Sequence, residues 1–201
     1  DFRKKSILPL QIEALLKKEF FSFVREPSQW IHLLVMVILT SIFVLSIGNL
    51  NLRLRVTEIQ LITYLVLFAF GGFLSCSLAL RFVFPMISME GSAFWSLLSA
   101  PLDRQKMYLT KFMIGFIVVC SLSELVAIAI NLPFVRLSAR FPLLLYFGLF
   151  AAFWMSFCIV AINLGFGGYF PNYQEKNPIR VASTQGATLT FLISLVYLIT
   201  L

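Results

Sequence analysis

Between Glu26 and Arg53 the chain carries no Asp, Glu, Lys or Arg, and most of that interval is Leu, Ile, Val, Phe and other apolar residues. A helix rises about 1.5 Å per residue, so roughly 20 such residues cross a hydrocarbon layer of ~30 Å. Comparable apolar blocks recur to the end of the chain. Backbone groups in lipid must be satisfied within helices or closed barrels, and the ten-residue alternating strands of a barrel do not occur in this sequence. The chain therefore reads as an all-α membrane protein. Its composition agrees, with 60% hydrophobic and 12% charged residues and a mean hydropathy of +0.92. Soluble domains have about 45–50% apolar and about 25% charged residues.

A net charge of +7 in a soluble protein would suggest nucleic acid. In a membrane protein it is what the positive-inside rule produces, and no nucleic-acid partner is expected. Cys76, Cys120 and Cys158 lie in apolar runs without a His at ligand spacing, so they read as buried thiols. His32, the only histidine, has no ligand-spaced partner and reads as an interfacial hydrogen-bonding residue. No metal and no cofactor are expected. The basic first residues lead into Pro9 and an amphipathic run rather than a signal peptide. Asp1 and the apolar end at Leu201 suggest a fragment.

From Ile12 to Val24 the apolar residues line one face of a helix, with Lys17, Lys18 and Glu19 in the same segment and Arg25 closing it. Residues 1–28 are read as an N-terminal segment whose helix lies at the headgroup layer, followed by Trp30 as an interface anchor. Residues 29–201 are read as a transmembrane bundle of about five spans, at about 30–47, 59–80, 111–132, 142–168 and 187–201. Gly71, Gly72, Ser75 and Ser77 in the second span permit close helix approach.

Glu124 is the one carboxylate well inside a span, and Asn163 is a second intramembrane polar residue. An intramembrane charge raises a functional hypothesis. With no second acidic residue for a relay, Glu124 reads as structural glue hydrogen-bonded to neighbouring Ser or Tyr, with a transport role as the alternative. The glycines Gly165, Gly167 and Gly168 are not a phosphate loop, because no Lys-Ser/Thr follows them.

Residues 81–110 interrupt the spans with charge. Pro85 and Pro101 bracket a short segment, each biasing the residue before it away from helix. Between them Ser88 can cap a first turn, Glu90 suits a helix N-terminus, and Phe94, Trp95, Leu97 and Leu98 follow. The expectation is a two-turn helix lying flat. Twelve basic residues fall on the side of the N-terminus and this segment, against Arg53, Arg55, Arg136 and Arg140 on the other. The N-terminus and the 81–110 segment are therefore expected in the cytoplasm, and the chain in the plasma (inner) membrane as a multi-pass protein.

Several local sequences carry a family resemblance. They are Lys18-Glu19 with Arg25-Glu26-Pro27-Ser28-Gln29-Trp30, Arg81-Phe82-Val83-Phe84-Pro85 with Glu90-Gly91 and Phe94-Trp95, Ala100-Pro101, Lys111, and Phe170-Pro171-Asn172-Tyr173. Together with the order of elements, they make the chain resemble the permease of a type-2 ABC exporter of bacteria, over most of its length. Those permeases are usually longer, so the resemblance implies a C-terminal half.

It further implies a connecting helix at the interface and a cytoplasmic coupling helix between spans two and three. Glu90, Gly91, Phe94, Trp95, Leu98 and Pro101 would there contact a separate ATPase subunit. The implied partners are that ATPase, membrane lipids and a second permease half or identical copy. The implied function is a permease subunit moving substrate through the bundle, itself not an enzyme. The 201 residues contain no Gly-x-x-x-x-Gly-Lys-Ser/Thr loop with which to bind ATP. The alternatives are an accessory or scaffold membrane protein and, less favoured, an intramembrane enzyme, for which no Ser/His or Glu/His pair is suitably spaced.

Overall fold

The computed structural model describes residues 10–48, 57–99, 103–135, 141–175 and 177–201. Every regular element among the described residues is helical. The α-helices are α1 (Leu10–Arg25), α2 (Pro27–Gly48), α3 (Thr57–Phe82), α4 (Phe94–Ser99), α5 (Arg104–Val135), α6 (Phe141–Tyr169), α7 (Pro178–Val181) and α8 (Gln185–Thr200). Two 3-10 turns, Phe84–Met86 and Ser88–Ala93, connect α3 to α4. Three helical stretches, Ile59–Gly91, Arg104–Leu132 and Leu145–Tyr169, are long and apolar enough to cross a membrane; Leu33–Ile47 and Gln185–Thr200 are shorter apolar helices. Arg53, Arg55, Arg136, Arg140, Pro101 and the side chains of His32 and Leu98 lie outside the described residues.

Charge-free helices bury little sidedness in their sequence, so their packing is decided by shape. Cys76 and Ala79 of α3, Val83 just after it, Val119 of α5 and Met155, Ile159 and Val160 of α6 form a shared buried core. Hydroxyls and amides stitch the same helices together. The Ser75 and Ser123 hydroxyls lie 2.7 Å apart between α3 and α5, and the Asn163 amide donates to Ser194 Oγ on α8 at 3.3 Å. Asn163 is thus a buried link between α6 and α8, also donating to its own helix at Ile159 O (2.9 Å).

Helix α1 packs through Leu15, 4% exposed, while Phe20 and Phe21 face outward. Its junction with α2 is closed by Trp30, whose indole N–H donates to Phe23 O at 3.0 Å while the ring stacks on Phe23. The expected interface anchor therefore also helps to close a helix end, adding a second donor to a carbonyl that already accepts from the Glu26 N–H at 3.2 Å.

The 81–110 region departs from the expected two-turn flat helix. Helix α3 continues past Arg81 to Phe82, and the chain then runs through two tight 3-10 turns before only six α-helical residues. Ser88 does not cap the turn. Its hydroxyl is fully buried and accepts from the Asn172 N–H at 3.0 Å, which ties the turn to the loop after α6. Gly91 is the reason the segment cannot be one helix: its φ of +57° lies where side-chain-bearing residues rarely go, and it reverses the chain between Glu90 and Phe94. Pro85 is buried, and α6 presses against this turn so closely that a Cβ at Gly167 would lie 2.4 Å from Phe84 O.

Candidate functional site

Four charged side chains from three elements meet where α1 crosses the 84–90 turn and the start of α5. Lys111 of α5 is 1% exposed, and its ammonium donates to Glu19 Oε1 at 2.8 Å, Glu90 Oε1 at 2.6 Å and Met86 O at 3.1 Å. An ammonium has three donors, and here each has an acceptor. Lys18 bridges the same carboxylates, at 3.2 Å from Glu19 Oε1 and in close contact with Glu90. Two cations and two anions make the cluster neutral. A buried charge alone is disfavoured by several kcal/mol, so each member is tolerable only because the others are there.

Burial by itself would push the Glu90 carboxyl up, but Lys111 and then Lys18 hold it below the usual carboxylate range. Behind Glu90 stands Tyr173, whose phenol is pushed up by burial, with Tyr108 and Glu90 adding to the shift. Phe94 stacks on the Tyr173 ring at 5.0 Å and 19°. A cavity of about 430 Å³ opens beside the cluster, lined by Leu16, Phe20 and Phe23 of α1, Phe82, Met86 and the carboxylates.

Of the residues expected at the interfacial helix, Lys18 and Glu19 enter the cluster, whereas Lys17 pairs with Glu13 one turn away on an exposed face. Arg25 ends α1 on the exposed side. Of those expected to contact an ATPase, Glu90 is turned inward to Lys111, Gly91 makes the reversal, and Phe94 is engaged by Tyr173. Only Trp95 among them is shown open, at 71% exposure. Glu124 is half-buried on α5, three turns beyond Lys111 in sequence, and is no part of the cluster. The centre, Lys111, was legible only as the first residue of the expected third span and as part of the family pattern; its partners lie 21 and 92 positions away.

Residues 2–201 match the family described as "Putative ATP-binding cassette". The chain belongs to that family. No curated protein and no solved structure matches it. The family description names an ATPase-type component and not a permease, and this overturns the resemblance to a type-2 exporter permease and to its C-terminal half. With it go the permease function and the accessory or scaffold alternative. An amphipathic helix, long apolar helices and a Pro-bounded turn do not single out one family. Within the pattern that carried the resemblance, Glu90 pairs with Lys111 and Phe94 stacks on Tyr173, while Trp95 is exposed.

A cassette implies a nucleotide, and the residues of this chain do not fit one. The 201 residues lack the phosphate loop. Among the described residues no strand leads into a helix N-terminus, and the cavity beside the cluster is lined mostly by apolar side chains with no Lys or Arg to meet a triphosphate.

Proposed function

We propose that the chain is a membrane-embedded helical component of an ATP-binding-cassette system, and that the Lys111 cluster is the joint fastening its surface helix α1 to the bundle. The nucleotide is bound and hydrolysed by another component, and this chain is not itself an enzyme. The observation that carries the reading is the neutral, buried clasp of Lys18, Glu19, Glu90 and Lys111, because it makes α1, the 84–90 turn and α5 move as one body. Three helices long and apolar enough to cross and two shorter apolar ones support a place in the plasma membrane, and the distribution of Lys and Arg supports the clasp lying at the cytoplasmic headgroup layer. Trp95, projecting beside the clasp, is the contact for an ATPase subunit; lipids and a second copy complete the surroundings.

The test has two arms. The chain should remain in the membrane pellet after an alkaline carbonate wash, and a photoreactive ATP analogue should not label it saturably when purified alone. Release into the wash, or saturable labelling competed by ATP, would overturn the reading.

A further inference from the structure

A second groove, of about 750 Å³, runs between the start of α5 and the end of α6. Arg104 and Tyr108 stand at its outer end with Tyr169, and Phe112, Ala161 and Gly165 form its floor. Arg104 and Phe112 are eight positions apart on α5, so rim and floor are separated by about 12 Å along the helix. The floor is apolar and the rim is cationic and hydroxylic. Asp103, the nearest carboxylate in sequence, accepts from the Gln105 N–H at 3.0 Å, which holds it at the end of α5 as a cap.

Gly165 distinguishes this groove from a packing defect. Glycine is among the poorest helix formers, and Gly167, two residues on, has a reason to be glycine because Phe84 O is pressed against it. At Gly165 a Cβ would meet nothing within 4 Å. The chain thus keeps a helix-weakening residue where its own packing does not require one, at the centre of an open apolar channel.

We propose that this groove binds one anionic phospholipid, with the phosphate at Arg104 and the Tyr108 and Tyr169 hydroxyls and an acyl chain over Gly165. A free phosphate would leave the floor uncovered, and a zwitterionic lipid would forgo the net attraction to Arg104. The inference rests on the bundle being in the membrane with this end at the headgroups. Charge-assisted hydrogen bonds to the phosphate are worth roughly tenfold in affinity.

The experiment is native mass spectrometry of the full chain released from nanodiscs of equal parts phosphatidylglycerol and phosphatidylcholine. The expected result is one retained phosphatidylglycerol per chain, enriched over phosphatidylcholine. Gly165→Leu, whose Cβ would meet nothing within 4 Å, should abolish retention, and Arg104→Gln should remove the preference for the anionic lipid while helicity by circular dichroism is unchanged. Equal retention of the two lipids, or retention untouched by Gly165→Leu, overturns the proposal. So does a Gly165→Leu variant that changes the number of chains per particle and not the lipid count, which would assign the groove to a second copy. Failure of the membrane reading shows separately, as release of the wild-type chain by carbonate.

Discussion

Replacing Lys111 by Met removes the only fully buried cation from the clasp and leaves the rest of its geometry in place. Glu19 and Glu90, with 12% and 8% of their side chains exposed, then face each other with only Lys18 between them. Lys18 is itself about one-third exposed and screened by solvent, so it compensates little. Breaking a buried pair from one side costs about 3–5 kcal/mol, which for a chain of this size corresponds to a fall of roughly 6–20 °C in Tm.

The sign with pH follows from Glu90. In the wild type its folded pKa is lowered, so its contribution is present above the ordinary carboxylate range and is lost as pH falls through the depressed value. Without Lys111 burial dominates and the folded pKa rises, so the penalty in the variant is greatest at neutral pH and shrinks on acidification. The assay is thermal unfolding in detergent at a series of pH values, with the triple variant Lys111→Met, Glu19→Gln, Glu90→Gln as control. Neutral replacements of a buried ionic cluster are often close to harmless, so the triple variant should recover most of the loss. A single variant as stable as wild type at neutral pH, or a triple variant no better than the single, would refute the reasoning.

Trp95→Ala should weaken binding of the ATPase subunit by about 2 kcal/mol, roughly 30-fold in affinity by pull-down titration, without altering Tm. Phe94→Ala should instead lower stability by about 0.5–1.5 kcal/mol through the lost Tyr173 stack, read by the same unfolding assay. Gly91→Ala has room for its methyl, since the nearest atom is Tyr173 O at 3.8 Å, so its cost is backbone strain alone, about 1–3 kcal/mol. Gly167→Ala has no such room against Phe84 O and should cost about 1–3 kcal/mol, with faster hydrogen exchange in the 84–90 turn.

The helical fold was legible because long charge-free apolar runs such as 27–52, without the alternation of a half-buried strand, favour helices. What was not legible is how the short segment between Pro85 and Pro101 folds. Local rules favoured Ser88 as a cap and Glu90 as a first-turn carboxylate. Both residues are instead taken by distant partners, Asn172 and Lys111, because a buried hydroxyl or carboxylate gains more from a fixed donor than from a frayed helix end. Lys18 and Glu19 stood out as neighbours of opposite charge on an amphipathic helix, yet nothing local says that both turn towards the bundle while Lys17 turns away. Nor does the local pattern say that Glu90 pairs with Lys111 or that Phe94 stacks on Tyr173.

Because the clasp cancels its own charge and its central Lys111 lies out of reach of dissolved ions, ionic strength has little grip on that centre. The open guanidinium of Arg104, by contrast, feels every added counterion. Raising salt should therefore loosen what the chain holds from outside while leaving what holds the chain together untouched, so that the two kinds of electrostatics at one end of the same molecule can be told apart by concentration alone.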